Sequence, residues 1–282
     1  MKFHQNTAEL YIPDDLSPEI ALSRTTHLAI SAHQDDIEIM AAEPILRCFQ
    51  QKDLWFSDVV LTDGRGSPRA GIYEKYSDEE MRIVRFKEQK KAAFLGEYAS
   101  QFLLDYPSKD IKNSGNDHPV EDLMALLKEM KPQTVFTHNL ADKHDTHVST
   151  ALRTIKAIRR LPLAERPQNL YGCEVWRNLD WLMDNDKIPF DLSGQENLQM
   201  ALLGVFDSQI TGGKRYDLAS MGRRKANATY FESHGLDNTQ GLSFGMDLTP
   251  LIVDEDRSIS HFIQDHLNRF TNDVTKRIAK FS

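Results

Sequence analysis

The chain predicts an α/β fold: a doubly wound, mostly parallel, Rossmann-like sheet with helices on both faces, followed by a mainly helical and loop C-terminal part. Two observations predict it. Short apolar runs of strand length alternate with segments of helical periodicity 12 or more residues long, and each such crossover must pack back over a parallel sheet. The 282 residues, 40% hydrophobic and 27% charged, show no repeat, low-complexity tract or linker, which fits one principal domain over 1–282. Residues 1–25 read as an N-terminal extension and 190–282 as a part packed on the sheet.

The elements follow in order. HLAISA (27–32) is a strand that ends abruptly in polar HQDD, and Ile37, Met40, Ala41, Ile45 and Leu46 then recur at helical spacing. WFSDVVLTDG has the β-branched signature of a buried strand, and Glu79 to Gly96 is a helix closed by its glycine. QFLLDY and PVEDLMALLKEM repeat the unit. PQTVFTH is a fourth strand, HDTHVSTALRTIKAIRR a helix with its stripe at Val148, Leu152, Ile155 and Ile158, and LYGCEVW a fifth strand. Beyond residue 190 no strand is predicted, and SHGLDNTQGLSFGMD reads as a Gly-rich loop.

Composition excludes several function classes. With 34 basic against 42 acidic residues the net charge is −8, opposite to a nucleic-acid-binding footprint. No apolar stretch approaches the roughly 20 residues of a membrane span, and MKFHQNTAELYIPDD lacks a signal-peptide core, so a cytoplasmic protein is expected. Cys48 and Cys173 have no paired spacing, so any metal must be held by His, Asp or Glu.

Two polar clusters fall at strand ends, where ligands bind in such folds. His33, Asp35, Asp36 and Glu38 follow the first strand; His138, Asp142, His144, Asp145 and His147 follow the fourth. First and fourth strands are neighbours in the usual doubly wound order, so the clusters should face each other. Two imidazoles and a carboxylate, His33, Asp36 and His147, are a sufficient ligand set for one catalytic Zn2+ with an open position. Asp35 fits the base that takes a proton from the activated water, and His144 a donor to an oxyanion or leaving amine. The same set describes a non-haem iron triad, so Fe2+ or another divalent ion stays open. Taken alone, the first cluster also reads as a helix N-terminus and the second as solvated histidines.

The strings themselves carry a resemblance. AHQDDIE resembles the AHPDDxE signature of the LmbE-like, or PIG-L, zinc deacetylases, and DKHDTH resembles that family's second signature, which usually ends HPDH. LTDGRG, RFKEQKKAAFLG (the family's RxxExxxAxxxLG helix), EVW and DSQ at 207–209 follow in the family's order over roughly 26 to 235. The resemblance implies His33, Asp36 and His147 as zinc ligands, Asp35 as general base and His144 as its electrostatic partner and acid. It implies that Arg85 contacts the substrate's sugar hydroxyls, although Arg82, Arg85 and Glu88 also read as a salt-bridged helix face.

Three residues depart from the signatures. Gln34 stands for a proline, which removes a fixed φ and predicts a more mobile turn; Asp145 stands for another proline; Thr146 stands for the aspartate that pairs with the partner histidine. His144 is therefore expected to be less basic unless Asp142 or Asp145 takes over. Arg65 and Arg69 read as a solvated loop, with contact to an anionic substituent as the alternative; Trp176, Trp181 and Tyr171 read as core, although a tryptophan beside a strand end could stack on a sugar ring; and the sequon at Asn227 reads as coincidence. Specificity is expected in loops 63–78, 107–118 and 234–247.

The expected function is a hydrolase that removes an N-acyl group, acetyl above all, from a small-molecule amino sugar or its conjugate. A non-catalytic binding module of the same fold and a non-haem iron enzyme are the alternatives. No nucleic acid and no membrane span enter this reading, and a homo-oligomer is compatible with it.

Overall fold

The computed structural model describes residues 1–282. Eight strands form one sheet: β1 (Glu9–Tyr11), β2 (His27–Ser31), β3 (Phe56–Thr62), β4 (Ser100–Tyr106), β5 (Thr134–His138), β6 (Asn169–Cys173), β7 (Lys187–Asp191) and β8 (Leu242–Asp247). Their spatial order is β1-β4-β3-β2-β5-β6-β8-β7. The five central strands are parallel, with β2 paired to β3 on one side and to β5 on the other. Connections run outward in opposite directions from β2 and β5, so the crevice at their carboxyl ends is the switch point of a doubly wound sheet.

Strand residues alternate between two cores, as the pleat requires. Leu28, Ile30, Val59, Leu61, Phe102 and Leu104 enter the larger core, which the helices His118–Met130 and Asp145–Arg159 cover. Ala29, Val60, Leu103 and Phe136 enter the smaller one, beneath Ala42–Cys48 and Asp78–Leu95. Both faces are dry, and this explains the near-continuous apolar runs. The helix Asp78–Leu95 starts on a full capping box, with Ser77 and Glu80 each bonding the other's backbone N–H. No helix is long and apolar enough to cross a membrane.

Three expectations need correction. The Gly-rich segment after residue 234 is not all loop: its end is β8, which lies between β6 and β7 and pairs antiparallel with both. Gly245 breaks the apolar pattern that would mark it, and a Cβ there would meet the Phe190 ring at 2.6 Å. β7 is an edge strand, consistent with its Pro189. The first 25 residues include β1, antiparallel to β4 at the opposite edge.

Candidate metal centre

The loop after β2 turns sharply at Asp35, whose φ of 88° lies in the left-handed region. This turn aims Asp36 back at its own loop, where Oδ2 accepts the His33 N–H at 2.8 Å. The helix Asp145–Arg159 begins beside it and brings His147 across from β5. His33 Nδ1 then lies 3.1 Å from Asp36 Oδ2 and 3.1 Å from His147 Nε2, and the last two are 3.2 Å apart. Ligands bound at about 2.0–2.2 Å to a tetrahedral ion stand roughly 3.3–3.6 Å from one another. The donor atoms thus form a triangle of the size a small divalent ion would occupy.

Charge is arranged to keep this triangle anionic on one corner. Burial pushes the Asp36 carboxyl up, but His147, His138 and His33 outweigh it and hold it well below the usual range. Burial opposes a proton on His147, yet Asp36 and Asp142 lift the imidazole to about 9. Asp142 Oδ2 lies 3.4 Å from His147 Nδ1 and accepts the Trp176 N–H at 3.1 Å, while Oδ1 accepts the His144 N–H at 3.0 Å. With Nδ1 facing a carboxylate, Nε2 is the nitrogen that would present its lone pair to an ion in the triangle, in exchange for its proton.

Two further imidazoles crowd the site. His138 is fully buried and stacks on His147 at 3.9 Å, but its Nε2 accepts the Ala32 N–H at 2.9 Å. That bond occupies the lone pair nearest Asp36, so His138 acts as a neutral wall rather than a donor. His144, the residue before the helix, sits half-exposed with its ring 4.9 Å from that of His33 and 4.6 Å from that of His147. Burial, then His33 and His147, lower its pKa. Asp142 serves the His144 backbone and the His147 ring, and Asp145 is exposed. Asp36 and Asp142 pull the His144 imidazole upward, but burial and the two neighbouring histidines outweigh them.

Asp35 lines the cavity beside the triangle. Burial raises its pKa to about 6, against the pull of Arg85, whose Nη2 is 3.0 Å from Asp35 Oδ2. Arg85 borders the cavity but is only 2% exposed. It also donates to the Gln34 carbonyl and to Ser208 Oγ and pairs with Glu88 at 3.2 Å. Glu88 in turn accepts from the Ser208 N–H and hydroxyl, both at 2.7 Å, which docks the DSQ segment. From below, Gln89 Oε1 accepts the Asp35 N–H at 3.0 Å. Gln34 does not leave the turn loose: its side chain is fully buried and donates to the Thr62 carbonyl at 2.8 Å. Gly64, at φ 71°, makes room for it, since a Cβ would meet Gln34 Oε1 at 2.7 Å.

A cavity of about 540 Å³ opens over these groups. Loops 63–78 and 107–118 contribute to its wall, while 234–247 does not; residues 209–223 do, including Gln209, Lys214, Tyr216 and Arg223. Trp176 packs against the smaller core and also lines the cavity, meeting Tyr216 edge-on at 5.6 Å. Trp181 packs against the larger core, Tyr171 against the smaller, and Asn227 of the sequon is buried and donates to Glu174 at 3.1 Å. Sequence reasoning missed the 209–223 wall; the GGKRY string just after DSQ was its nearest signal.

Comparison with known proteins finds a family likeness over part of the chain. Residues 28–158 match the PIG-L family model, described as GlcNAc-PI de-N-acetylase. The chain carries a PIG-L family domain. Among solved structures, this chain is similar to the N,N'-diacetylchitobiose deacetylase of Pyrococcus horikoshii, at 17% identity and TM-score 0.64 over 82% of this chain and 86% of that one. It is similar to the 4-carboxy-2-hydroxymuconate hydratase of Pseudomonas putida KT2440, at 15% identity and TM-score 0.62 over 79% and 96%. The A40926 pseudoaglycone deacetylase follows at 16% and 0.56 over 79% and 97%. At these identities the structures establish a shared fold. No curated protein sequence matches the chain.

Proposed function

We propose that this PIG-L protein is a zinc-dependent hydrolase of the cytoplasm that removes an N-acyl group, acetyl above all, from an amino sugar or its conjugate. One observation carries the reading: a triangle of three ligand atoms stands beside a carboxylate, Asp35, that belongs to no ligand set. Metal binding alone has no use for that group. His33, Asp36 and His147 would hold the ion, which when bound supplies a Lewis acid for the amide oxygen and acidifies a water. Asp35 takes the proton of the attacking water; its raised pKa of about 6 suits a base near neutral pH. Arg85 and Gln89 fix its carboxylate and backbone. His144, in the cavity wall, donates a hydrogen bond to the oxyanion and passes to the departing amine the proton that Asp35 took from the water. The proposal treats 1–282 as one unit, because the C-terminal part supplies a wall of the cavity.

The test is to incubate zinc-loaded protein with a panel of N-acetylated amino sugars and glycosides and to measure acetate. Release that disappears on chelation and returns with metal is expected. Absence of acetate across the panel, from protein that holds its metal, would sink the reading.

A further inference from the structure

The helix Ile259–Phe281 outruns the body on which it packs. Its first turns are covered: Phe262 enters the larger core, with Ile259 and Ile263 packed against it. Phe270 still meets Trp181 edge-on at 6.5 Å, and Arg269 pairs with Asp186 at 2.8 Å. Beyond them no residue of the helix is buried. The apolar stripe nevertheless runs on through Leu267, Phe270, Val274, Ile278 and Phe281, which are 38% to 80% exposed. Thr271, Asn272, Asp273, Val274 and Thr275 are five consecutive weak helix formers. A helical stretch of this kind draws its stability from a covered apolar face rather than from propensity.

The spacing of the stripe says what covers it. Leu267 and Phe281 lie seven residues to either side of Val274, and Phe270 and Ile278 lie four to either side. The series reads the same in both directions. A two-fold axis between antiparallel helices requires this, because residue i must meet residue j while j meets i. With the axis at Val274, Leu267 faces Phe281 of a second copy, Phe270 faces Ile278, and Val274 faces itself.

Charge selects the same direction. One flank of the stripe is uncharged, with Asn268, Thr271 and Thr275; the other carries Arg269, Asp273, Arg277 and Lys280. In an antiparallel pair like flanks meet. Arg277, which bonds Asp273 of its own helix at 2.8 Å, would then stand two residues, about 3 Å along the axis, from Asp273 of the second copy. A parallel pair would set each charged flank against an uncharged one and gain no ion pair.

We infer that two copies of this chain associate through this helix, paired antiparallel with itself across a two-fold axis at Val274. None of the stripe lines the cavity, so the inference stands apart from the proposed activity.

Sedimentation equilibrium of the full-length protein over a concentration series tests it. The mass should rise toward twice the monomer's as concentration increases. Val274→Asp sets two carboxylates against each other on the axis and should hold the monomer mass where the wild type is dimeric; Val274 lies outside both cores, so the body keeps its fold. Direction is read by cross-linking with a short bis-maleimide, to which the buried Cys48 and Cys173 are closed. An equimolar mixture of Leu267→Cys and Phe281→Cys should cross-link, whereas Leu267→Cys alone should not, because its two thiols would stand about 21 Å apart along the axis. A dimer that Val274→Asp leaves intact, or cross-linking of Leu267→Cys with itself, overturns the inference. So does a wild type that stays monomeric throughout; if that monomer floats with vesicles of mixed phosphatidylcholine and phosphatidylserine, a membrane surface takes the stripe instead.

Discussion

Replacing Arg85 by methionine separates two roles for this side chain. The guanidinium sits 3.0 Å from Asp35 Oδ2 and 3.2 Å from Glu88 Oε2 and is almost wholly buried. A unit charge about 4 Å away at an effective dielectric near 20 is worth about 4 kcal/mol, or roughly three pKa units. Neighbours share that field, so a rise of at least about one unit in the Asp35 pKa is expected. The acid limb of kcat/KM should move to higher pH, and the rate at pH 6 should drop about fivefold or more. Leaving two buried carboxylates without their cation should also cost about 3–5 kcal/mol of stability. Thermal unfolding should reflect this as a fall in Tm of roughly 6–20 °C. Should the variant not fold, Arg85→Lys retains the charge without the fork and should show a smaller shift in the same direction. The assay is a pH series of initial rates at matched zinc content, with KM and kcat resolved. An unmoved acid limb with a raised KM would refute the reasoning and leave Arg85 acting on the substrate, as the family resemblance implies.

Asp35→Asn should retain its metal by elemental analysis yet lose roughly two to four orders of magnitude in turnover. His147→Ala should lose the metal, and Asp142→Asn, which removes the carboxylate behind His147, should weaken metal affinity about 10–100-fold in a competition titration. Asp58→Asn probes the buried acid beneath the site, whose pKa burial raises well above 3.8. The folded wild type keeps a proton that the unfolded chain releases. The stability this gives is complete below pH 3.8 and is lost as pH rises toward the folded pKa. The variant should therefore show a flatter decline of denaturant midpoint from pH 4 to 8; an identical slope would mean that Asp58 ionises freely.

The floor of the site was readable from sequence because its donors lie in two short strings, each directly after a strand. His33 and Asp36 are three residues apart on one turn, and His147 opens a helix. Local spacing and strand order together suffice to bring such groups face to face. The later part of the wall was not readable: Lys214, Tyr216 and Arg223 follow no periodicity, and only tertiary packing turns them inward. β8 was hidden by its glycine and β1 by being three residues long. The Gln34 substitution misled for a different reason. Loss of a ring constraint on φ is visible in sequence, whereas the compensating bond to the Thr62 carbonyl depends on a chain segment 28 residues away.

Part of the wall comes from a different stretch of chain than the floor. The ligand triangle lies within the matched domain, 28–158, while Trp176 and residues 209–223 stand outside it. On the proposed function, this later part of the wall bears on which compound is admitted while the floor carries the chemistry. Drift in the later stretch can retune which compound is admitted without disturbing the chemistry beneath, and a graft of that stretch from a structural neighbour should transplant a preference onto an unaltered reactive floor.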